Sequence, residues 1–453
     1  MDGVNVKFYQ QPGRSRQQPQ KPVRVHVEGM THDLRGIARH EGKPLFIDNA
    51  LPGEQVSVRI ERRHGRYLEG RALHIEEASR ERVSPRCQHF GRCGGCSLQY
   101  LDSQAQLTHK EQAVLGQLER FAAVQPDQLA PPLGSQPFGY RSRARLAVYY
   151  HRKQKQLLVG FREARSRQVI SLAQCPVLAP ELECLLQPLQ QLIGSLKAFD
   201  QVSHLELLLG ERGPAVLFRH LQPLCEEDQQ RLQAFAEQHL QQLYLQGDSH
   251  SVHCFWSREG NPRLSYPLSA FSLSLAYQPL DFTQVNRPLN EAMVTRAMEW
   301  LDPGPGERVL DLFCGLGNFS LPAARLGAEV VGVEGSATMV QRAQLNAQSA
   351  GIETARFHVL DLTEEGVLRS LCPNGVDKVV LDPPRAGAAE TISDICQLGP
   401  ASILYISCDP ATLARDAGLL RDRAYRLQRL CVMDMFPQTG HIESMALFVQ
   451  SGN

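Results

Sequence analysis

The sequence predicts a chain of several folded parts whose last part is an α/β domain, and three observations carry that prediction. After about Asp281, short apolar runs end in polar or turn residues: Val309-Leu310-Asp311-Leu312-Phe313, Val330-Val331-Gly332-Val333-Glu334, Val379-Val380-Leu381-Asp382 and Ile403-Leu404-Tyr405-Ile406. Helical segments separate them, which is the pattern of a parallel sheet covered on both faces, a Rossmann-like arrangement. Near the N-terminus the period is instead that of strands and tight turns. Finally, 453 residues exceed one core, and about 150 residues per domain suggests roughly three.

Taken in order, residues 1–21 repeat Gln and Pro, hold too little apolar content to fold, and are expected to form a disordered tail. Residues 22–80 read as a small all-β, OB-like barrel: Val23-Arg24-Val25-His26-Val27 alternates, Leu45-Phe46-Ile47 follows, Pro52-Gly53 turns the chain into Val56-Ser57-Val58-Arg59-Ile60, and Arg71-Ala72-Leu73-His74-Ile75 closes the module. Residues 81–278 read as a central α+β region. It opens with a cysteine-rich loop and a helix capped by Asp102, with Leu107, Val114, Leu115, Leu118 and Phe121 at helical spacing. Pro131-Pro132 and Pro137 end that pattern, and strands such as Leu205-Glu206-Leu207-Leu208-Leu209 and Ala215-Val216-Leu217-Phe218 follow. Residues 279–453 form the α/β domain.

Charge and composition narrow the function classes. No apolar stretch approaches the roughly 20 residues of a membrane span, and the Gln-rich start lacks the apolar core of a secretory signal, so a cytoplasmic protein without membrane contact is expected. The formal net charge is zero, yet residues 136–168 hold nine Arg or Lys against one acid, Glu163. Phe138, Tyr140, Tyr149, Tyr150 and Phe161 interleave with them, a mixture that suits a nucleic acid backbone and unstacked bases as well as a solvated strand face.

Twelve cysteines without a secretion signal argue against a disulfide framework. Cys87, Cys93 and Cys96 form C-x5-C-x2-C around Gly94-Gly95, and Cys175, followed by Pro176, is the natural fourth ligand. Four such cysteines suit an iron-sulfur cluster or zinc, and three plus a distant Cys-Pro favours [4Fe-4S]. Cys184, Cys225, Cys254, Cys372, Cys396 and Cys431 lack ligand spacing and read as structural, and Cys314 as a small packing residue.

In the last domain, Asp311 to Asn318 runs from a strand into a turn bearing Gly315 and Gly317, where the backbone can approach a ligand closely. Glu334 follows 19 residues after Gly315 and can hold ribose hydroxyls. Ser320 occupies the third glycine position of the dinucleotide fingerprint, which disfavours NAD and fits S-adenosylmethionine, a ligand without a pyrophosphate. Asp361 stands where such folds contact adenine. Asp382-Pro383-Pro384-Arg385 projects an acid into the crevice on a stiffened backbone, and Arg385 at its fourth position disfavours an amine acceptor.

Cys408 ends the strand at Ile406-Ser407 and Glu443 lies downstream in Phe436-Pro437-Gln438-Thr439-Gly440-His441-Ile442-Glu443. Carbon 5 of uracil becomes nucleophilic once a thiolate adds to carbon 6, and a base must then remove the proton from carbon 5. Cys408 is the candidate nucleophile and Glu443 the candidate base.

With these residues in place, the chain resembles the RNA uridine-5 methyltransferase family over nearly everything after the tail. Gly36-Ile37-Ala38-Arg39, Leu51-Pro52-Gly53-Glu54 and Ser79-Arg80 resemble its TRAM domain, an RNA-binding β-barrel. The resemblance implies a [4Fe-4S] cluster on Cys87, Cys93, Cys96 and Cys175, S-adenosylmethionine contacts from Gln284, Phe313, Asn318, Glu334, Asp361 and Asp382, nucleophile Cys408 and base Glu443. Asp409 and Asp361 stand where Asn is commoner in the family. TRAM and cluster together imply the 23S ribosomal RNA branch, acting on free RNA or a precursor particle with no obligate protein partner. A tRNA T-loop uridine or a second ribosomal site is the alternative substrate, and a catalytically inactive iron-sulfur RNA-binding protein is the rival from another class.

Overall fold

The computed structural model describes residues 21–247, 251–364 and 366–451, so the expected tail lies outside the described residues except for Lys21. The chain divides into two compact units, one of residues 1–31 and 35–80 and one of residues 32–34 and 81–453.

The first unit is all-β. Six strands, β1 (Val23–His26), β2 (Gly29–Met30), β3 (Gly36–His40), β4 (Lys43–Asp48), β5 (Gln55–Arg63) and β6 (Leu68–Glu77), form one sheet in the order β1-β5-β6-β4-β3-β2. Alternate residues point inward, so Val25, Val27, Leu45, Ile47, Val56 and Val58 build its core while the intervening polar residues meet solvent.

The second unit contains two large sheets. The first comprises β8 (Arg143–His151), β9 (Gln156–Arg162), β10 (Val169–Ser171), β11 (Val202–Gly210), β12 (Gly213–His220), β13 (Gln242–Gln246) and β14 (Val252–Ser257), in the order β10-β9-β8-β11-β12-β13-β14. Its apolar face packs on the helices Leu186–Ser195 and Glu226–His239. A hairpin of β15 (Leu264–Leu268) and β16 (Leu273–Tyr277) leads into the α/β part.

There, β17 (Arg308–Leu312), β18 (Glu329–Glu334), β19 (Ala355–Val359), β20 (Lys378–Leu381) and β21 (Ser402–Ser407) are parallel, as the buried apolar runs predict. Two further strands, β22 (Tyr425–Met433) and β23 (Glu443–Gln450), add antiparallel, giving the order β19-β18-β17-β20-β21-β23-β22. A two-residue strand, β7 (Gln128–Leu129), joins the edge beside β22. Period-2 alternation feeds two cores. Leu404 and Ile406 face the helices Arg287–Leu301 and Ala337–Ser349, while Ile403 and Tyr405 face Ala389–Gln397 and Pro410–Arg421.

The helix α1 (Ser103–Gln117) starts where expected, with the Asp102 carboxylate accepting from the amides of Gln104 at 2.9 Å and Ala105 at 3.2 Å. Leu107, Val114 and Leu118 are buried, but Phe121 lies in a π-helical turn, Leu118–Ala122, and is 66% exposed, because the altered pitch rotates it off the apolar stripe. α1 and this turn pack against β22 and the Pro410–Arg421 helix, so a segment read with the central region covers the α/β sheet. Its buried face also carries two polar side chains that reach far along the sequence. Lys110 Nζ donates to Asp434 at 2.6 Å and to the carbonyl of Phe436 at 3.3 Å. Gln106 exchanges two hydrogen bonds with Gln438, through its side chain at 3.1 Å and its amide at 3.0 Å.

Because the Lys110 side chain has no exposure at all, removing its partner leaves a buried charge uncompensated. Asp434→Ala is therefore expected to cost roughly 3–5 kcal/mol, read as a lowered thermal unfolding midpoint, whereas Lys110→Met with Asp434→Leu should lose far less. A double variant as unstable as the single one would contradict the assignment of that cost to the orphaned charge.

Candidate active site

The order of the strands reverses between β17 and β20, and the crevice beyond their carboxyl ends is where open α/β sheets take ligands. Phe313, just past β17, adopts φ +62°, a left-handed conformation uncommon outside glycine, and Gly315 and Gly317 follow at +56° and +96°. This turn brings the amide of Gly315 to 3.2 Å from one carboxylate oxygen of Glu334, while the other accepts from Ser336 at 2.9 Å. Asp311 is fully buried on β17. One of its oxygens accepts from the Ser320 hydroxyl and the other has no partner. Burial, opposed by the Ser320 bond and reinforced by Asp382 and Glu334, pushes its carboxyl up to about 7. Asp382, just past β20, is likewise pushed to about 7 by burial of its carboxyl, though the residue keeps some surface on the crevice. Glu334 and Asp382 thus flank the glycine turn with the buried Asp311 beneath them, which was read only as a strand residue. An acid inside the run Val309 to Phe313 was its signal.

The other expected cofactor contacts are placed as follows. Asn318 follows the turn, but its side-chain amide pairs reciprocally with Asn290 at 3.0 and 3.1 Å and accepts from Tyr266 at 2.9 Å, partners the sequence reading missed. Asp361 follows β19 and is exposed. Its carboxylate accepts from the amide and hydroxyl of Thr363 at 2.9 and 2.7 Å, and these bonds lower its pKa. Gln284 is half-buried in the segment before the Arg287–Leu301 helix, where the neighbouring Val285 carbonyl accepts from Ser142.

Cys408 and Glu443 are brought together by strand register. β21 and β23 pair antiparallel with Ser407 opposite Ser444, so the next residues out, Cys408 and Glu443, share one end of the pair. Asp409 caps the following helix, accepting from Ala411 at 2.9 Å and Thr412 at 3.0 Å. Asp and Asn cap equally well, which accounts for Asp at this position. Burial and then the Glu443 charge push the Cys408 thiol up to about 11, against the opposing pull of Arg385. Glu443 is buried, and burial together with Asp382 holds its carboxyl well above the usual range, despite Arg385 and Lys110.

A cavity of about 360 Å³ opens over Cys408, walled by Arg385, Thr439, Gly440 and His441 on one side and by Gly94, Gly95, Cys96 and Ser97 on the other. The cysteine-rich loop is therefore a wall of the cavity over Cys408. Ser97 and Leu98 amides donate to the Gln438 carbonyl at 2.9 and 3.0 Å, Gly440 donates to Ser97 at 3.0 Å, and Tyr140 donates to the Pro437 carbonyl at 2.9 Å. Gly94 and Gly95 also border a second cavity of about 590 Å³ lined by Arg141, Arg145, Arg162, Arg165 and Phe161.

Cys87, Cys93, Cys96 and Cys175 line one cavity together with Phe90, Phe161, Leu172 and Pro176. All four are free thiols. Burial first, with the neighbouring cysteines adding to it, pushes Cys96 to about 11 and Cys175 to about 12. Among the described residues no three or more His, Cys, Asp or Glu are arranged to hold a metal ion. A single zinc requires sulfurs about 2.3 Å from one point, whereas a four-iron cluster bonds each thiolate to a different iron and spreads them apart. Four thiols around one largely apolar cavity are a donor set that such a cluster could use.

The parallel sheet with a glycine turn and acidic crevice defines a Rossmann-type methyltransferase fold. The model of the tRNA (Uracil-5-)-methyltransferase family matches residues 102–451, and the TRAM domain model matches residues 16–73. The chain belongs to that methyltransferase family. It is 46% identical over 437 residues to the 23S rRNA (uracil(1939)-C(5))-methyltransferase RlmD of Nitrosococcus oceani, covering 95% of this chain and 97% of that one. The protein of the same name from Hahella chejuensis is 42% identical, covering 96% and 99%. Among solved structures, the Pyrococcus abyssi tRNA (uracil-54, C5)-methyltransferase in complex with S-adenosyl-L-homocysteine superposes with a TM-score of 0.73 at 24% identity, over 94% of this chain and all of that one, and shows the same fold.

The charges around Cys408 set its reactivity toward alkylation. The charge of Glu443 raises the thiol and that of Arg385 lowers it, so Glu443→Gln should move the pH midpoint of Cys408 alkylation down and Arg385→Met should move it up. Peptide-level mass spectrometry after iodoacetamide pulses reads both, and shifts of the opposite sign would contradict this electrostatic description.

Proposed function

We propose that this chain transfers a methyl group from S-adenosylmethionine to carbon 5 of a uridine in 23S ribosomal RNA, acting in the cytoplasm. The observation that carries the reading is the register of β21 and β23, which sets the buried carboxyl of Glu443 beside Cys408, a thiol that lines the cavity. Identity of 42–46% along nearly the whole length of proteins named for 23S rRNA favours the ribosomal substrate, and uracil 1939 is the first position to test. No helix among the described residues is long and apolar enough to cross a membrane.

S-adenosylmethionine supplies, when bound, an electrophilic methyl group on a sulfonium cation. Glu334 and Asp382 at the crevice suit a cationic ligand, and the lone pairs left on Glu334 can take ribose hydroxyls. Gln284, Phe313, Asn318 and Asp361 complete the proposed set of contacts. The basic groove of Arg141, Arg145, Arg162 and Arg165 adjoins the reaction cavity across Gly94-Gly95 and suits the phosphodiester backbone of RNA, to which the TRAM domain adds a second binding surface.

Cys408 reacts as the thiolate, its proton released to solvent. Burial holds the Cys408 thiol at about 11 even with Arg385 beside it, so the bound base must favour the charged form further. Sulfur adds to carbon 6, and carbon 5 becomes nucleophilic and takes the methyl group. Glu443, as the carboxylate, then removes the proton from carbon 5, and the thiolate leaves as the ring double bond re-forms. The target base must leave its stack for the thiol and methyl donor to reach it. Cys87, Cys93, Cys96 and Cys175 would hold a [4Fe-4S] cluster behind the wall of the reaction cavity.

Two experiments test the reading. Cys408→Ala should lose covalent trapping by RNA carrying 5-fluorouridine, and Glu443→Gln should accumulate a methylated covalent adduct. In the unmodified enzyme, release of that adduct should speed up as pH rises through the raised pKa of Glu443, because only its carboxylate form accepts a proton. Trapping that persists without Cys408, or free product at normal rate without Glu443, would refute these roles. Separately, anaerobically purified protein should hold about four irons per chain with sulfide-to-iron absorption in the visible. Cys96→Ala and Cys175→Ala should each lose it, and zinc in place of iron would overturn the cluster.

A further inference from the structure

His441 lies on the open rim of the reaction cavity, two residues before Glu443, and the reaction as described gives it no task. Its one polar side-chain partner among the described residues is unusual. Arg385 Nη2 stands 2.9 Å from His441 Nδ1. A guanidinium has donors only, so Nδ1 must accept, and the ring proton must sit on Nε2. The imidazole is then neutral. Its surroundings favour that state: partial burial and the cations of Arg385, Lys110 and Arg141 all disfavour a second positive charge there. Arg385 itself pairs with no carboxylate among the described residues, and its charge acts on Cys408 and Glu443 as well as on the histidine.

We infer that His441 is a further catalytic residue, a neutral Nε2–H donor that stabilises the negative charge on the uracil O4 oxygen when Cys408 adds to carbon 6. This rests on the reaction proposed above. In the addition step the sulfur lone pair forms the bond to carbon 6, the C5–C6 π pair becomes a C4–C5 double bond, and the carbonyl π pair moves onto O4. No proton is transferred to that oxygen. It receives a hydrogen bond, and the carbonyl re-forms as carbon 5 takes the methyl group. A guanidinium donating to Nδ1 polarises the ring and makes Nε2–H a stronger donor without adding a proton to it. Because Nε2 is already protonated and Nδ1 is occupied, the same ring is unsuited to serve as a base for the thiol. Donors aimed at an oxygen that gains charge in the transition state commonly change rates by about 100- to 1000-fold.

The test is the rate of adduct formation with 5-fluorouridine RNA in single turnover with S-adenosylmethionine, alongside RNA affinity and thermal unfolding of each variant. His441→Ala should slow adduct formation on the order of 100-fold. RNA affinity and unfolding midpoint should stay near wild type. His441→Gln, whose side-chain amide can place an N–H near the Nε2 position, should recover about tenfold of that loss. A His441→Ala protein that forms adduct at the normal rate would overturn the inference. So would one that forms it normally but releases product slowly, since the residue would then act only through Glu443. A Gln variant no faster than Ala, with both folded, would also overturn it. Persistent trapping by Cys408→Ala would bring down the underlying reaction scheme itself, an outcome distinct from each of these.

Discussion

The antiparallel register of β21 and β23 is the constraint on which the reaction site depends. Backbone hydrogen bonds pair Ser402 with Val449 through to Ser407 with Ser444, and the residues beyond that last pair are Cys408 and Glu443. A slip of one residue would turn every side chain of β23 to the other face of the sheet and send the carboxyl away from the thiol. The register is held because both faces of these strands are buried. Leu404, Ile406, Met445 and Leu447 belong to one core and Ile403, Tyr405, Ala446 and Phe448 to the other. Packing over the whole sheet thereby fixes the relation between Cys408 and Glu443 at its end.

The loop from Asp434 to Ile442 needs a second set of restraints, because it lies outside the ladder. Lys110 and Gln106 on α1, Ser97 and Leu98 in the cysteine loop, and Tyr140 before β8 all bond to its backbone or side chains. Gln438, at φ +69°, is the turn around which these bonds gather. The loop that leads to Glu443 is thus held by segments from the N-terminal third of the chain. Through Ser97, one residue from Cys96, it is also tied to the four-cysteine cavity. Anything that orders those cysteines would also order a wall of the cavity over Cys408, because Cys96 lines both cavities.

Much of this was legible in the sequence, and for identifiable reasons. The parallel strands announce themselves as buried apolar runs, the cap at Asp102 by its position before an apolar period, and Cys408 by standing where a strand ends. What was not legible depends on pairs far apart in sequence. The Lys110–Asp434 and Gln106–Gln438 bonds span more than 300 residues, and neither member is unusual in its local context. The short β7 strand carries no apolar period, so its addition to the α/β sheet has no local signature. Asn318 was expected to face a cofactor, and its reciprocal bond with Asn290 shows how a polar side chain can hold a helix against the glycine turn. The Arg385–His441 pair joins two motifs that each looked complete alone.

The most direct measurement of the central claim is a map of 5-methyluridine in ribosomal and transfer RNA from cells lacking this protein, complemented with the natural chain or with Cys408→Ala. The account predicts that one 23S rRNA position loses its methyl group, that the natural chain alone restores it, and that the tRNA T-loop is unchanged. An unaltered 23S rRNA, restoration by Cys408→Ala, or a loss confined to tRNA would contradict it.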